Sequence, residues 1–176
     1  MTESQASDRE GLQGHCAAPS RTLMTTRSEY LQAADKLLEL AQLEIRIFDP
    51  DLSQTRLDTP ARIEALRRFL ARSRLNRAYI ALHDVEYVKR HCPRLICLLG
   101  IFSGSMAIHR TEGEATKTQD CFMLADRMHV IRRPVAAQGR GVCILNDSHE
   151  GQAMRDRFDE IWECSEPGVC ANTSGL

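Results

Sequence analysis

A change of regime near residue 110 constrains this chain more than any other feature. Before it, apolar residues at helical spacing alternate with short apolar runs; after it, three strand-like runs follow one another with no helix between them. Thr26-x-x-Glu29 is a capping box. It opens a helix whose Tyr30, Leu31, Ala34, Leu37, Leu38 and Ala41 share one side. Glu44 to Asp49 reads as a strand closed by Pro50. Asp58-Thr59 before Pro60 reads as an N-cap with proline at the first helical position, and Ile63, Leu66, Phe69 and Leu70 are the apolar side of that helix. Ala78 to Leu82 is a continuous apolar run, as expected of a strand buried on both faces. Asp84 is placed to cap a short helix through Arg90, Pro93 restarts a second through Leu99, and Ser105 to His109 is a third strand. The runs near 120–125, 128–133 and 141–145 then pair as hairpins, with a tight turn at Asp126-Arg127 and a loop from Pro134 to Arg140. Asp147-x-x-Glu150 opens a final helix that turns Met154, Phe158, Ile161 and Trp162 inward. The fold class expected is α/β: a mixed sheet flanked by helices, alternating first and ending in a β meander and a closing helix.

A length of 176 residues suits one domain with one sizeable core. The polar stretch at residues 1–24 is expected to be a disordered leader, residues 25–167 the domain, and 168–176 a flexible tail. A net charge of −1 gives no overall pull toward nucleic acid or membrane, so such a role would need a local patch. The apolar runs, such as Leu95 to Leu99, fall well short of the roughly 18 residues a membrane helix needs, and the N-terminus lacks the apolar segment of a secretory signal. The seven cysteines (16, 92, 97, 121, 143, 164 and 170) are odd in number, include no C-x-x-C pair, and sit largely in apolar patterns. They read as free thiols of a cytoplasmic protein.

Three sets of residues could carry chemistry. Asp49, Asp51, His83 and Asp84, followed by His109-Arg110, lie at or just beyond the C-terminal ends of the expected parallel strands. Ligands bind there in open sheets, and acids with imidazoles could hold a divalent metal or act as an acid–base pair. The plainer reading gives Asp84 a capping role and makes Asp49-Pro50-Asp51 a turn. Second, Arg62, Arg67, Arg68, Arg72, Arg74 and Arg77 crowd one helix and its exit against Glu64 alone, a possible phosphate surface. The arginines scatter around the polar arc, which fits a solvated face as well, and no aromatic residue interleaves with them for base stacking. Third, Arg132-Arg133 is a basic pair at the end of a hairpin strand. No P-loop, dinucleotide fingerprint or nucleophile elbow occurs, Ser103-Gly104-Ser105 reads as a turn, and no cofactor is expected.

The order of elements resembles one half of the phospholipase D-like superfamily. More narrowly, the chain is similar to a proteobacterial family of unknown function at Ile47-Phe48-Asp49-x-Asp51-Leu52, Cys92-Pro93-Arg94-Leu95, Asp120-x-Phe122-x-x-Ala125-Asp126-x-x-His129 and Phe158-x-x-Ile161-Trp162-x-x-Ser165-x-Pro167. The resemblance covers about residues 27–167. It implies that the superfamily's H-x-K-x4-D strand falls on Gln119, Cys121 and Asp126, so that the His and Lys are missing. It places the Gly-Ser pair that helps bind phosphate on Arg132-Arg133. A glutamine amide has no useful nucleophilicity for a phosphoenzyme, and cysteine cannot supply the fixed positive charge that steadies a pentacovalent phosphate. A thiol in an apolar strand, without an evident base, is inert.

The resemblance therefore implies a degenerate, non-catalytic domain that binds or interacts. Any residual anion site would fall on Arg132 and Arg133, with Arg94. Active superfamily members build a site from two halves, so a homodimer is a reasonable expectation, alongside another protein partner. Two alternatives stand beside this reading: a metal-dependent hydrolase or phosphodiesterase using Asp49, Asp51, His83 and Asp84, and a nucleic-acid-binding protein using the Arg62–Arg77 helix.

Overall fold

A computed structural model describes residues 18–170. Its elements run β1 (Ser20–Met24), α1 (Arg27–Leu40), β2 (Glu44–Asp49), α2 (Pro60–Arg72), β3 (Arg77–Leu82), α3 (Glu86–His91), α4 (Pro93–Ile101), β4 (Met106–Thr111), a 3-10 turn (Gly113–Lys117), β5 (Cys121–Ala125), β6 (His129–Arg133), β7 (Gly141–Leu145), α5 (Ser148–Glu163) and β8 (Ser165–Val169). One eight-stranded sheet takes the order β1-β7-β6-β5-β2-β3-β4-β8. β2, β3 and β4 are parallel, the meander β5–β6–β7 is antiparallel, and β5 runs antiparallel beside β2. This is the expected mixed sheet flanked by helices.

Alternation along the central strands builds two cores. Ile45 and Ile47 of β2, Met123 of β5 and Ile131 of β6 face Tyr30 and Leu37 of α1, Leu66 and Phe69 of α2, and Leu95 and Leu98 of α4. Phe48, Phe122, Leu124, Val130 and Ile144 face the other way, onto Met154, Phe158 and Ile161 of α5. A central strand covered on both sides must be apolar throughout, which is why Cys121–Ala125 is buried at every position. Trp162 is less enclosed than its spacing suggested. It is half-buried and stacks on His109 with ring centroids 3.8 Å apart.

Capping follows the expected logic with one exchange. Thr26 and Glu29 form the reciprocal capping box of α1, and Asp147 accepts from the amides of His149 and Glu150 at the start of α5. Thr59 occupies the cap position of α2 but makes no side-chain bond there. Asp58 instead accepts from the Leu95 amide at 2.7 Å and so caps α4 from a distant loop. α5 begins directly against the β5–β6 turn: a Cβ at Gly151 would lie 2.2 Å from the Arg127 carbonyl oxygen, so only glycine fits.

Two expectations at the ends of the domain are corrected. Ser20–Met24, assigned to a disordered leader, is strand β1, antiparallel to β7. Only Met24 of β1 turns into the core, so there is no apolar alternation to read. Ser165–Val169, overlapping the stretch assigned to a flexible tail, is strand β8 on the opposite edge. Pro167 argues against a strand in sequence, but an edge position tolerates a missing N–H. Residues 1–17 and 171–176, which make up the rest of the expected leader and tail, lie outside the described residues.

The tightest link between the parallel part and the meander is Asp126. It sits in the β5–β6 turn with φ of 57°. Its carboxylate accepts from the backbone amides of Gln42 (3.1 Å), Leu43 (2.7 Å) and Glu44 (3.0 Å), where α1 hands over to β2. Replacing Asp126 with Ala leaves three donors without their acceptor and a left-handed backbone without a tolerant residue, an expected loss of about 2 kcal/mol. Asp126→Asn, which keeps an acceptor and the backbone tolerance, should cost less. Urea denaturation of both variants reads the difference, and an unchanged midpoint for Asp126→Ala would show that the turn stands without its carboxylate.

Candidate functional site

β2 ends where β5 begins and β6 ends, so Asp49, Cys121 and Arg133 meet at one end of the sheet. The register pairs Phe48 with Phe122 and Cys121 with Arg133. Strand alternation then puts Asp49, Cys121 and Arg133 on the face that α1 covers. Arg133 lies over the Tyr30 ring, its guanidinium carbon 4.1 Å from the centroid, and its Nε donates to Cys121 Sγ at 3.2 Å. Asp49 accepts from Leu52 N (2.7 Å), Thr55 Oγ1 (2.8 Å) and Asp51 N (3.2 Å). Tyr30, Asp49, Thr55, Cys121 and Arg133 are all buried, and among the described residues Arg133 Nη2 has no hydrogen-bond partner.

Burial governs the ionisation of this cluster. It pushes the Cys121 thiol up to about 11, with the charge of Asp49 acting in the same direction. It raises the Tyr30 phenol well above its ordinary value. It also raises Asp49, while the Leu52 amide, Thr55, the Asp51 amide and the charge of Arg133 pull the other way. Burial and a raised pKa both disfavour the thiolate form of Cys121, the form that reacts. Gln119 lies two residues ahead of Cys121, exposed, with its backbone carbonyl accepting from Ala136 N at 2.9 Å. The three residues matched to the catalytic motif therefore have separate situations: Gln119 at the surface, Cys121 inside the cluster, and Asp126 holding a turn at the far end of β5.

The anion-site candidates do not converge. Arg132 and Arg133 are successive strand residues, and the two-residue period sends them to opposite faces. Arg133 goes under α1. Arg132 goes to the α5 face, where Asp120 Oδ2 lies 3.5 Å from its Nε and Asp120 Oδ1 also accepts from Arg157 at 2.9 Å. Arg94, at the start of α4, pairs with Asp58 at 3.4 Å. The expectation of one site built from Arg132, Arg133 and Arg94 is corrected on this geometry.

The strand-end residues are held in local roles. Asp51 accepts from Ser53 N (2.9 Å) and Ser53 Oγ (2.7 Å). His83 is spanned by Thr111 Oγ1 (2.8 Å) and the Thr118 carbonyl (2.7 Å), and Asp84 accepts from Glu86 N (2.8 Å). Among the described residues no group of three or more His, Cys, Asp or Glu is placed to hold a metal ion. The arginine-rich helix is also partly spent. Arg62 is buried against Asp35, Leu31, Thr55 and Arg56, Arg67 pairs with Glu64, and Arg72 reaches the Ala41 carbonyl. Arg67, Arg68, Arg72 and Arg74 are all exposed at the surface. Tyr30 and Thr55 complete the buried cluster around Cys121, and Asp120 with the half-buried Arg157 completes the one around Arg132. They were not legible beforehand because their partners are distant in sequence.

The buried cluster makes a direct prediction. Cys92, Cys121 and Cys143 are buried, whereas Cys97, Cys164 and Cys170 are exposed. Native protein treated with iodoacetamide at mildly alkaline pH should be alkylated at Cys97, Cys164 and Cys170, with Cys121 protected until denaturant is added. Peptide mass spectrometry reads this, and fast alkylation of Cys121 would mean an open, activated thiol.

Comparison with known proteins agrees with this architecture. The sequence matches the family described as Domain of unknown function (DUF7931) over residues 26–171. No curated protein matches it significantly. Among solved structures it is similar to TrmBL2, an archaeal chromatin protein whose structure is described as showing a novel mode of DNA binding. That match has 18% identity and a TM-score of 0.62, covering 84% of this chain and 54% of TrmBL2. It is similar to Nuc from Salmonella typhimurium, a phospholipase D family member, with 13% identity and a TM-score of 0.59, covering 87% of this chain and 100% of Nuc. It is also similar to NucT from Helicobacter pylori, with 10% identity and a TM-score of 0.55, covering 86% of this chain and 100% of NucT. This chain thus spans about half of TrmBL2 and the full length of the two smaller proteins. At these identities the likeness concerns the fold, which is phospholipase D-like. The chain belongs to the DUF7931 family, a domain of unknown function built on that fold.

Proposed function

We propose that this is a non-catalytic phospholipase D-like domain of a bacterial cytoplasmic protein, working by binding a partner rather than by cleaving a phosphodiester. One observation carries the reading. Where the resemblance puts the catalytic lysine, Cys121 lies closed in beneath Tyr30 and Arg133 and bonded to the arginine. A phosphodiester would need a nucleophile and a cation at an open surface. At that sheet end the cation, Arg133, is buried, and Gln119 stands in the nucleophile's place. The partner is another protein or a second copy of the chain.

A nucleic-acid role draws support from the description of TrmBL2 and from the exposed Arg68 and Arg74. The ties of Arg62, Arg67 and Arg72 to carboxylates and backbone carbonyls leave it a smaller surface than the sequence offered. A metal-dependent hydrolase would have to draw Asp49, Asp51, His83 and Asp84 out of the turn, cap and histidine bonds they now make.

The test is turnover of bis(p-nitrophenyl) phosphate and of single- and double-stranded DNA, with and without Mg, Mn and Zn. No hydrolysis above the blank is expected, and no rise in melting temperature with any of the metals. Hydrolysis that disappears in Cys121→Ala or in Asp49→Asn would overturn the proposal. In parallel, anisotropy of labelled DNA should show no binding with a steep negative salt slope; such a slope, reduced in Arg68→Ala with Arg74→Ala, would establish the nucleic-acid reading instead.

A further inference from the structure

The start of α5 is fastened to the β5–β6 turn at three points. Asp147 N donates to the Met128 carbonyl at 3.0 Å. Gly151 lies so close to the Arg127 carbonyl that no side chain fits there. Beside them, Asn146 N donates to Nδ1 of His129 at 3.2 Å. The first two contacts use groups that do not titrate. The third depends on pH, because an imidazole nitrogen accepts a hydrogen bond only while it carries no proton. The Asn146 amide therefore selects the neutral ring with its proton on Nε2. His129 is buried at the start of β6, and Asn146 holds a φ of 60° between the end of β7 and the Asp147 cap.

We propose that His129 is an acid-sensitive latch on the first turn of α5. Neutral, it holds the β7–α5 link against the β5–β6 turn; protonated, it lets that link go. The inference goes beyond the proposed function and does not depend on the loss of catalysis.

Protonation turns Nδ1 into a donor that faces a second donor, the Asn146 N–H. The hydrogen bond is lost, and a charge is left in a largely closed site. Burial disfavours the charged ring and holds its pKa below the ordinary 6.5, while the carboxylate of Asp126 pulls the other way. The charged or titratable groups on the surrounding elements are Asp126 and Arg127 in the turn, Asp147 at the cap, His149 in the first turn of α5, and Lys36 and Glu39 on α1. Among the described residues, Asp126 is the one whose charge acts on the ring. With its pKa lowered, the latched ring binds fewer protons than the released one. The latch is therefore at full strength above pH 6.5 and weakens as pH falls through that value toward the lower pKa of the latched ring. In that window opening rises by up to about tenfold per pH unit. The rest of α5 is held by Met154, Phe158 and Ile161 in the core, so the change is confined to Asn146–Gly151.

The test is amide hydrogen exchange of the full chain by NMR between about pH 7.5 and about pH 5, each rate divided by the intrinsic rate of that amide. Protection of Asn146 and Asp147 should be level above pH 6.5 and fall below it. His129→Asn places a non-titrating amide oxygen where Nδ1 stands, and should keep that protection level throughout. His149→Gln should follow the wild type, which separates the latch from a second imidazole charging in the first turn of α5. Should His129→Asn fail to fold, the wild-type ring answers by itself. Its nitrogen shifts should show the Nε2–H tautomer at neutral pH and a titration below 6.5. Four results each overturn the proposal: level wild-type protection across the range, a His129→Asn protein that loses protection as the wild type does, an acid response abolished by His149→Gln, or a neutral ring with its proton on Nδ1. None of them bears on hydrolysis, so this inference and the non-catalytic reading stand or fall separately.

Discussion

The antiparallel pairing of β2 with β5 holds this domain together. β2 is the last strand of the parallel, helix-connected part, and β5 is the first strand of the meander. Their register sets the faces of every strand on either side, because a one-residue slip of β5 against β2 would send Met123 toward α5 and Phe122 toward α1. Two devices fix it from opposite ends. Asp126 gathers three amides at the entry to β2, and Phe48 and Phe122 pack against each other near its exit with centroids 5.4 Å apart. Both cores inherit their composition from that register.

The sheet end where ligands gather in open α/β folds is here filled from within. Tyr30 descends from α1, Arg133 arrives from β6, and the turn after β2 winds around Asp49. Such clusters are weak sources of stability, since desolvating charges costs nearly what their attraction returns. Their effect is geometric. An arginine laid on a tyrosine and bonded to a thiol fills the space beneath α1. A similar economy operates on the opposite face, where Asp120 holds Arg132 and Arg157. Two adjacent arginines that look like one basic patch are spent separately, Arg132 beside Asp120 and Arg133 on Tyr30 and Cys121.

Much of the fold was legible because its determinants are local. Helix α1 follows from Thr26, Glu29 and a clean apolar spacing, and α5 from Asp147 and the Met154–Phe158–Ile161 series. The meander follows from three apolar runs too short to be helices and too close together for crossovers. The edge strands escaped for a physical reason: an edge exposed on both faces has no apolar alternation, and β8 contains the residues that ordinarily break strands. The site was less legible. Residue types named Cys121 and Arg133 as remarkable only through a resemblance, and nothing local announced that Tyr30, 91 residues before Cys121, would close over both.

Taken alone, the sequence determined the class of fold, the order of the central elements and the caps of α1 and α5. Each of these depends on residues within one or two turns of one another. Tertiary structure decided which side chains meet. The strand period separated Arg132 from Arg133, a distant loop gave Asp58 to α4, and α1 made the Cys121 end of the sheet an interior. These outcomes depend on strand order and on which face each helix covers, and both come from packing over the whole chain, beyond the reach of any local pattern.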